Sequence, residues 1–388
     1  MGSVGNENMS NLSKLQKVEL EILTKFSKIC ESENLTWFAM FGTLLGAARH
    51  SGFIPWDEDI DVAMPRPDYD RLRAHPELFK EPYFLQTPQN DPAAASHFMR
   101  LRRSDTTMIK RFNGLTRGGH LGACIDIMPL DEVPDVTRAR TLHAAAVKIQ
   151  KQMLASAALE ESANTRLPAW KAMFCYGNGG IAGSYHLFAE RYEWLCSMYS
   201  GQPYYSIPVL SGANGSRMLD KGWFSSSEMM KFENIDIPVP LGWREVLVAC
   251  YPNGLHEPNI RDRRRSEAAI VDMDRPFEEH LWRFTDMLKG VDGKKILVFG
   301  AGDSLMILLE RYGSDLDIVC VFDNDEAKWG KIYEGIPVRP PQELPAMINA
   351  STRLIIASVW HIEIANQLEN MGLYDYYVFI DGLNYGRK

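Results

Sequence analysis

The sequence predicts an α/β chain of two domains, and three observations carry that reading. In residues 11–30 apolar positions recur at spacings of three and four, the period of a helix with one buried face. Around residues 37–64, short apolar strands and a helical run lead into an acidic segment. From Lys295 onward apolar strands alternate with helical stretches, the pattern of a small doubly wound parallel sheet. With a boundary near 285–292, this gives an α+β domain of mixed sheet and added helices over 1–288, and a parallel α/β domain over 289–388.

The elements follow in order. Leu12, Leu15, Val18, Ile22, Phe26 and Ile29 mark the first helix. Residues 37–41 form a short buried strand ended by Gly42, and 44–49 the helix after it. Ser51-Gly52 and Pro55 force a turn, after which 56–64 reads as an acidic strand. Pro65 and Pro67 end that strand, and Asp68 caps a helix over 69–74. Strands are expected at 83–86, 97–102 and 124–129, the last (CIDIMP) holding Asp126 buried among apolar neighbours. A helical pattern runs over roughly 136–160, whereas 165–235 is rich in glycine and aromatics without a clear period. The arginine-rich run 261–265 forms a charged junction with Arg275, and a helix ends at Leu288-Lys289-Gly290. Strands at 295–299, 318–322, 354–358 and 376–380, with a helix at 304–312, complete the chain.

Composition narrows the function. The chain has 388 residues, 45% hydrophobic and 24% charged, as expected of a soluble globular protein. A net charge of −8 and a pI near 5.7 disfavour nucleic acid as the main partner, since phosphate-tracking proteins carry a basic excess. Six scattered cysteines without a C-x-x-C pair suggest neither a zinc site nor a disulfide framework. The opening MGSVGNENMS lacks the apolar core of a signal peptide, and no apolar run approaches the ~18 residues of a membrane span. The expected location is the cytoplasm, including the inner face of the membrane.

The chemistry concentrates at 41–64. On a strand, Asp57, Asp59 and Asp61 project to one face, while Glu58 and Ile60 face away. Like charges so crowded repel unless a cation neutralises them, and Mg²⁺ is the usual partner of hard oxygen ligands beside phosphate. Asp126, a lone acid in an apolar strand, is costly unless paired or metal-bound, and the acidic strand is its natural partner. Gly42 and Thr43 stand where a strand gives way to a helix, a geometry whose backbone N–H groups attract phosphate. Arg49 follows, and Arg100 and Arg102 share one strand face, where they could clamp a diphosphate.

The stretch FGTLLGAARHSGFIPWDEDIDV resembles the signature of the LicD family, which includes the fukutin-like transferases. Asp126 in IDIMPLD resembles the family's later acidic strand, and FENIDIPVP with WREVLVACY its closing segment. The likeness covers about residues 12–260. It implies a nucleotidyltransferase-like fold and Mg²⁺-dependent transfer of a phospho-alcohol, typically phosphocholine from CDP-choline, to a sugar hydroxyl. The acceptor would be a surface glycan, a teichoic acid precursor or a lipopolysaccharide. Asp59 and Asp61 would then be metal ligands, with Asp57 and Asp126 completing the site. Two departures are Glu58, where the family commonly has Asp, and Tyr251-Pro252-Asn253 in place of Tyr-Gly-Asp. A choline head group would favour an aromatic cage, for which Trp56, Tyr204, Tyr205, Trp223 and Trp243 are available.

In the second domain, KILVFGAGDS and VCVFDND resemble the start of a Rossmann dinucleotide-binding unit. Gly300 and Gly302 fit the first two glycines, Leu305 replaces the third, and Asp323 stands where a ribose-binding acid would. Three other readings remain open at this level: transfer of a nucleotide itself, an NAD-linked oxidoreductase built on the second domain, and a non-catalytic docking protein.

Overall fold

The computed structural model describes residues 13–91, 96–110, 119–162, 184–207, 218–251, 268–285, 287–358 and 360–379. The arginine-rich run 261–265, and Pro252 and Asn253, lie outside these. The chain divides into two compact units. The first comprises the described residues within Met1–Met108, Gly119–Ser266 and Val271–Pro276; the second, those within Ile109–Gly118, Glu267–Ile270 and Phe277–Lys388.

The first unit opens with α1 (Lys14–Ser32), whose buried face carries Leu15, Val18, Ile22, Leu23 and Phe26. Ser13 and Gln16 close a reciprocal capping box at its start, satisfying two N–H groups the helix leaves unpaired. A mixed sheet follows, ordered β1 (Phe38–Ala39), β2 (Asp61–Pro65), β6 (Cys124–Val133), β4 (Met99–Arg103) and β3 (Tyr83–Gln86). The β2–β6 pair is parallel, and β1–β2, β6–β4 and β4–β3 are antiparallel. β7 (Tyr204–Ser206) extends β6, and β8 (Leu219–Asp220) pairs with β7. β5 (Thr107–Lys110) and β11 (Ala268–Asp272) form a separate ladder. β9 (Ser227–Phe232) and β10 (Ile235–Pro240) make a hairpin turning at Glu233, whose φ is 55°.

Helix α2 (Phe41–His50) connects β1 to the loop before β2. Helix α3 (Arg66–Ala74) begins earlier than expected, because Pro67 is tolerated in a first turn where no N–H is needed. Asp68 does not cap it; its Oδ2 accepts from Thr36 N–H at 3.1 Å instead. Helices α4 (Thr137–Ser162) and α5 (Ser184–Ser197) pack on each other through Val147, Leu154, Phe188 and Tyr192. Arg66 ties α3 to β6 and α5, reaching Asp131 at 2.5 Å and Glu193 at 2.7 Å. α6 (Trp243–Cys250) packs Val246 and Leu247 into the main core.

The second unit is a six-stranded sheet in the order β14 (Ile332–Tyr333), β15 (Ile336–Arg339), β13 (Asp317–Phe322), β12 (Lys295–Phe299), β16 (Thr352–Ala357), β17 (Tyr377–Phe379). All neighbours pair in parallel except β14 with β15. Ile296 and Val298 pack with Leu305 and Leu308 of α8 (Asp303–Tyr312), while Leu297 and Phe299 pack with Leu344 of α9 (Leu344–Met347) and with Ile364 and Leu368 of α10 (His361–Asn370). Burial on both faces explains why β12 reads as an unbroken apolar run. α7 (Glu278–Thr285) precedes this sheet, with Trp282 edge-on to Tyr377 at 5.2 Å.

Candidate functional site

The acidic segment is not one ribbon. β2 starts at Asp61, and 57–60 form a loop. Pro55 makes a turn in which Asp57 N–H donates to Ile54 O at 2.9 Å, and pairing begins only where Asp126 N–H meets Ile60 O, also at 2.9 Å. A loop also lets the carboxylates diverge, lowering the repulsion a regular strand would impose.

Asp61 and Asp57 are nevertheless each held at a fixed position. Asp61 stands directly opposite Asp126 in the parallel β2–β6 ladder. Thr43 Oγ1 accepts from Asp61 N–H at 2.9 Å, which fastens α2 to the first residue of β2. Gly42 lies against Asp57: a Cβ there would fall 2.3 Å from Asp57 Oδ2. Phe41, just before it, has φ +47°, a left-handed conformation costly for a side chain of its size and frequent where function fixes the backbone. Gln16 Nε2 donates to Asp57 O at 3.1 Å, so the capping residue of α1 also anchors the loop.

Arg100 and Arg102 separate in role. Arg100 Nε donates to Asp126 Oδ1 at 2.7 Å, with both side chains 15% exposed. Burial opposes the charge on Arg100, yet Asp126, with smaller contributions from Cys124 and Asp61, holds its pKa above the ordinary guanidinium value. Arg102 is fully enclosed and donates to Gln86 Oε1 and Gly122 O, both at 2.6 Å. It therefore braces β3 and β4, and the expected clamp of two arginines on a diphosphate is reduced to Arg100. Arg49 lies at the opposite end of α2 from Gly42, its Nε on His50 Nε2 at 2.9 Å.

One residue that sequence reasoning set aside belongs with the acids. Tyr251, immediately after α6, has its phenol pushed well above the ordinary value by burial and then by Asp61, Cys250, Asp57 and Asp59. The available signal was its place after the amphipathic WREVLVAC helix. Gln16 was legible too, as a polar residue on the apolar face of α1. Of the proposed cage, Trp56, Trp223 and Trp243 pack against the core and Tyr205 lies within it.

Among the described residues no three His, Cys, Asp or Glu side chains are gathered closely enough to hold a metal ion. The physical reasons are the loop at 57–60 and the engagement of Asp126 with Arg100. Asp57, Asp59, Asp61 and Asp126 are thus not a closed ligand cage. The donor chemistry, carboxylate oxygen throughout with two acids in direct register, still suits a hard divalent cation.

Residues 34–169, which hold every one of these acids, match the LicD/FKTN/FKRP nucleotidyltransferase domain. Residues 292–379 match the C2185-like N-terminal family. A lipopolysaccharide cholinephosphotransferase LicD of Haemophilus influenzae is 50% identical over 61 residues, 16% of this chain and 23% of that protein. An uncharacterized protein of Rickettsia prowazekii is 35% identical over 70 residues, 18% of this chain and 24% of its own length. Each match thus spans under a quarter of the curated relative. Among solved structures, a UDP-D-quinovosamine 4-dehydrogenase from Vibrio fischeri aligns at 20% identity over 22% of this chain and 75% of its own, with a TM-score of 0.19, too low to carry any argument. The acidic loop, β2 and β6 lie within the segment that matches the nucleotidyltransferase domain. Residues 34–169 are thus similar to the LicD family domain.

Proposed function

We propose that the protein is a phosphotransferase that moves a phospho-alcohol, with phosphocholine as first choice, from a CDP-activated donor to a sugar hydroxyl of a glycan such as lipopolysaccharide, releasing CMP. The observation that carries this reading is the Asp61–Asp126 register pair, inside the segment that matches the LicD domain. The similarity to the Haemophilus cholinephosphotransferase supports the choice of phosphocholine.

Each residue then has a task. The register pair Asp61 and Asp126 would hold Mg²⁺, with Asp57 and Asp59 adding negative charge from the loop. When bound, that ion supplies neutralising charge for the donor's diphosphate. Gly42 leaves room beside Asp57, and the first turn of α2 offers backbone N–H groups to phosphate oxygens. Thr43 fixes the start of β2, and Arg100 orients Asp126 while offsetting its charge. No described helix is long and apolar enough to cross a membrane.

The test is a panel of CDP-alcohols assayed for CMP release with Mg²⁺. CDP-choline turnover is expected, with a loss of about a hundredfold or more in Asp61→Asn and Asp126→Asn. Undiminished turnover in both variants would overturn the assignment. The family's description as a nucleotidyltransferase domain favours one second reading, transfer of the nucleotide itself. Labelled CTP separates the two, since that reaction leaves label on the acceptor and releases pyrophosphate.

A further inference from the structure

We propose that the second unit binds a nucleoside-type ligand, neutral or cationic, in the crevice at the ends of β12, β13 and β16, and that this crevice is not built for a diphosphate. The crevice is a cavity of about 720 Å³. It lies where the parallel strand order turns back, with β13 on one side of β12 and β16 on the other. Open α/β sheets bind ligands outside the carboxyl ends of strands at such a reversal. The volume is within the roughly 300–1,000 Å³ of small-molecule sites.

The lining selects the ligand. Asp303, Asp323, Asp325 and Glu363 face the cavity, against Lys328, the single cation among the described lining residues, whose Nζ is already on Asp323 Oδ2 at 3.0 Å. A pyrophosphate would enter a field of its own sign. Two N–H donors of the glycine turn are spent as well. Gly300 N–H donates to Phe322 O and Ala301 N–H to Asp323 Oδ2, each at 2.7 Å, so these donors point at the protein. Asp303, in the first turn of α8, further offsets the positive helix end on which a phosphate would rest. Carboxylates are acceptors, and sugar hydroxyls supply the matching donors. Trp360, 49% exposed on the cavity wall, offers a face for a base to stack on. Gly302 completes the shape, because a Cβ built there meets nothing within 4 Å and a ligand can approach its backbone.

The full-length protein would be titrated by calorimetry with adenosine, guanosine, cytidine and uridine, and with NAD⁺ as the diphosphate-bearing probe. At least one nucleoside is expected to saturate, about tenfold more tightly than NAD⁺. Gly302→Leu, which fills space without meeting backbone, and Trp360→Ala are each expected to weaken that nucleoside about tenfold. Asp303→Asn should narrow the gap to NAD⁺. No saturation by any of the four nucleosides, NAD⁺ binding equal to or tighter than theirs, or affinity unchanged in both Gly302→Leu and Trp360→Ala would overturn the proposal. Hydrogen exchange across β12, β13 and β16 is expected to be unchanged in the same Gly302→Leu sample, which checks that the second unit is folded independently of binding.

Discussion

At the residue scale, the site depends on small contacts made by uncharged groups. Gly42 touches Asp57 so closely that a single methyl must displace the carboxylate. The displaced atoms end a side chain rather than belong to backbone, so the domain keeps its fold. Gly42→Ala is therefore expected to lower CDP-choline turnover about tenfold or more with little change in melting temperature. A large drop in stability would instead place Gly42 in a purely structural role. Thr43 predicts the converse balance. It is 2% exposed and its Oγ1 receives Asp61 N–H, so Thr43→Val leaves a buried donor unmet at a cost of about 1–3 kcal/mol. Chemical denaturation should show that loss, accompanied by weaker turnover as Asp61 loses its anchor.

At the scale of elements, two histidines at strand entrances make the first unit acid-labile. His97, just before β4, has its pKa pushed down from 6.5 to about 3 by burial and then by Lys151 and Arg100. His120 is pushed down likewise to about 3, by burial and then by Arg102. Its Nδ1 accepts from Gly122 N–H at 3.2 Å, which leaves the ring proton on Nε2, 3.1 Å from Ser104 Oγ. The unfolded chain takes up a proton at each histidine below about pH 6.5, whereas the folded chain resists until about 3. Stability therefore falls as pH drops through that window, by up to about 1.4 kcal/mol per pH unit for each group. Melting temperatures of His97→Leu measured against pH should show a shallower acid slope than wild type, and an identical slope would refute the account. Many elements were legible from the chain alone, for a physical reason. β3 and β12 lie where apolar alternation or an apolar run meets glycine or proline, and both begin and end as read. The acidic segment misled because its alternation of aspartate with apolar residues mimics a strand, whereas the turn at Pro55 and the start of pairing at Asp61 are tertiary events. Arg102 misled in the same way: period two placed it beside Arg100, but only the fold shows Gln86 and Gly122 waiting for it. Tyr251 was underweighted because what brings a residue of α6's far end to the acids is packing, not spacing.

At the scale of the whole molecule, two compact units with separate cores imply that damage to one can be read without the other. Gly300 supplies the means. Its φ is +114°, a conformation that L side chains rarely adopt, and a Cβ there would lie 2.5 Å from Ala357 O. Unlike the contact at Gly42, the obstacle is backbone of the neighbouring strand β16 and cannot swing aside. Gly300→Ala is therefore expected to cost the second unit about 2–4 kcal/mol. Hydrogen exchange should rise across 295–379 while β2 and β6 stay protected. If Asp61 and Asp126 suffice for the chemistry, CDP-choline turnover under conditions where the first unit stays folded remains within about twofold of wild type. A proportional loss of turnover would mean that the LicD-type site is incomplete without the second unit, and the catalytic residues would then have to be sought on both.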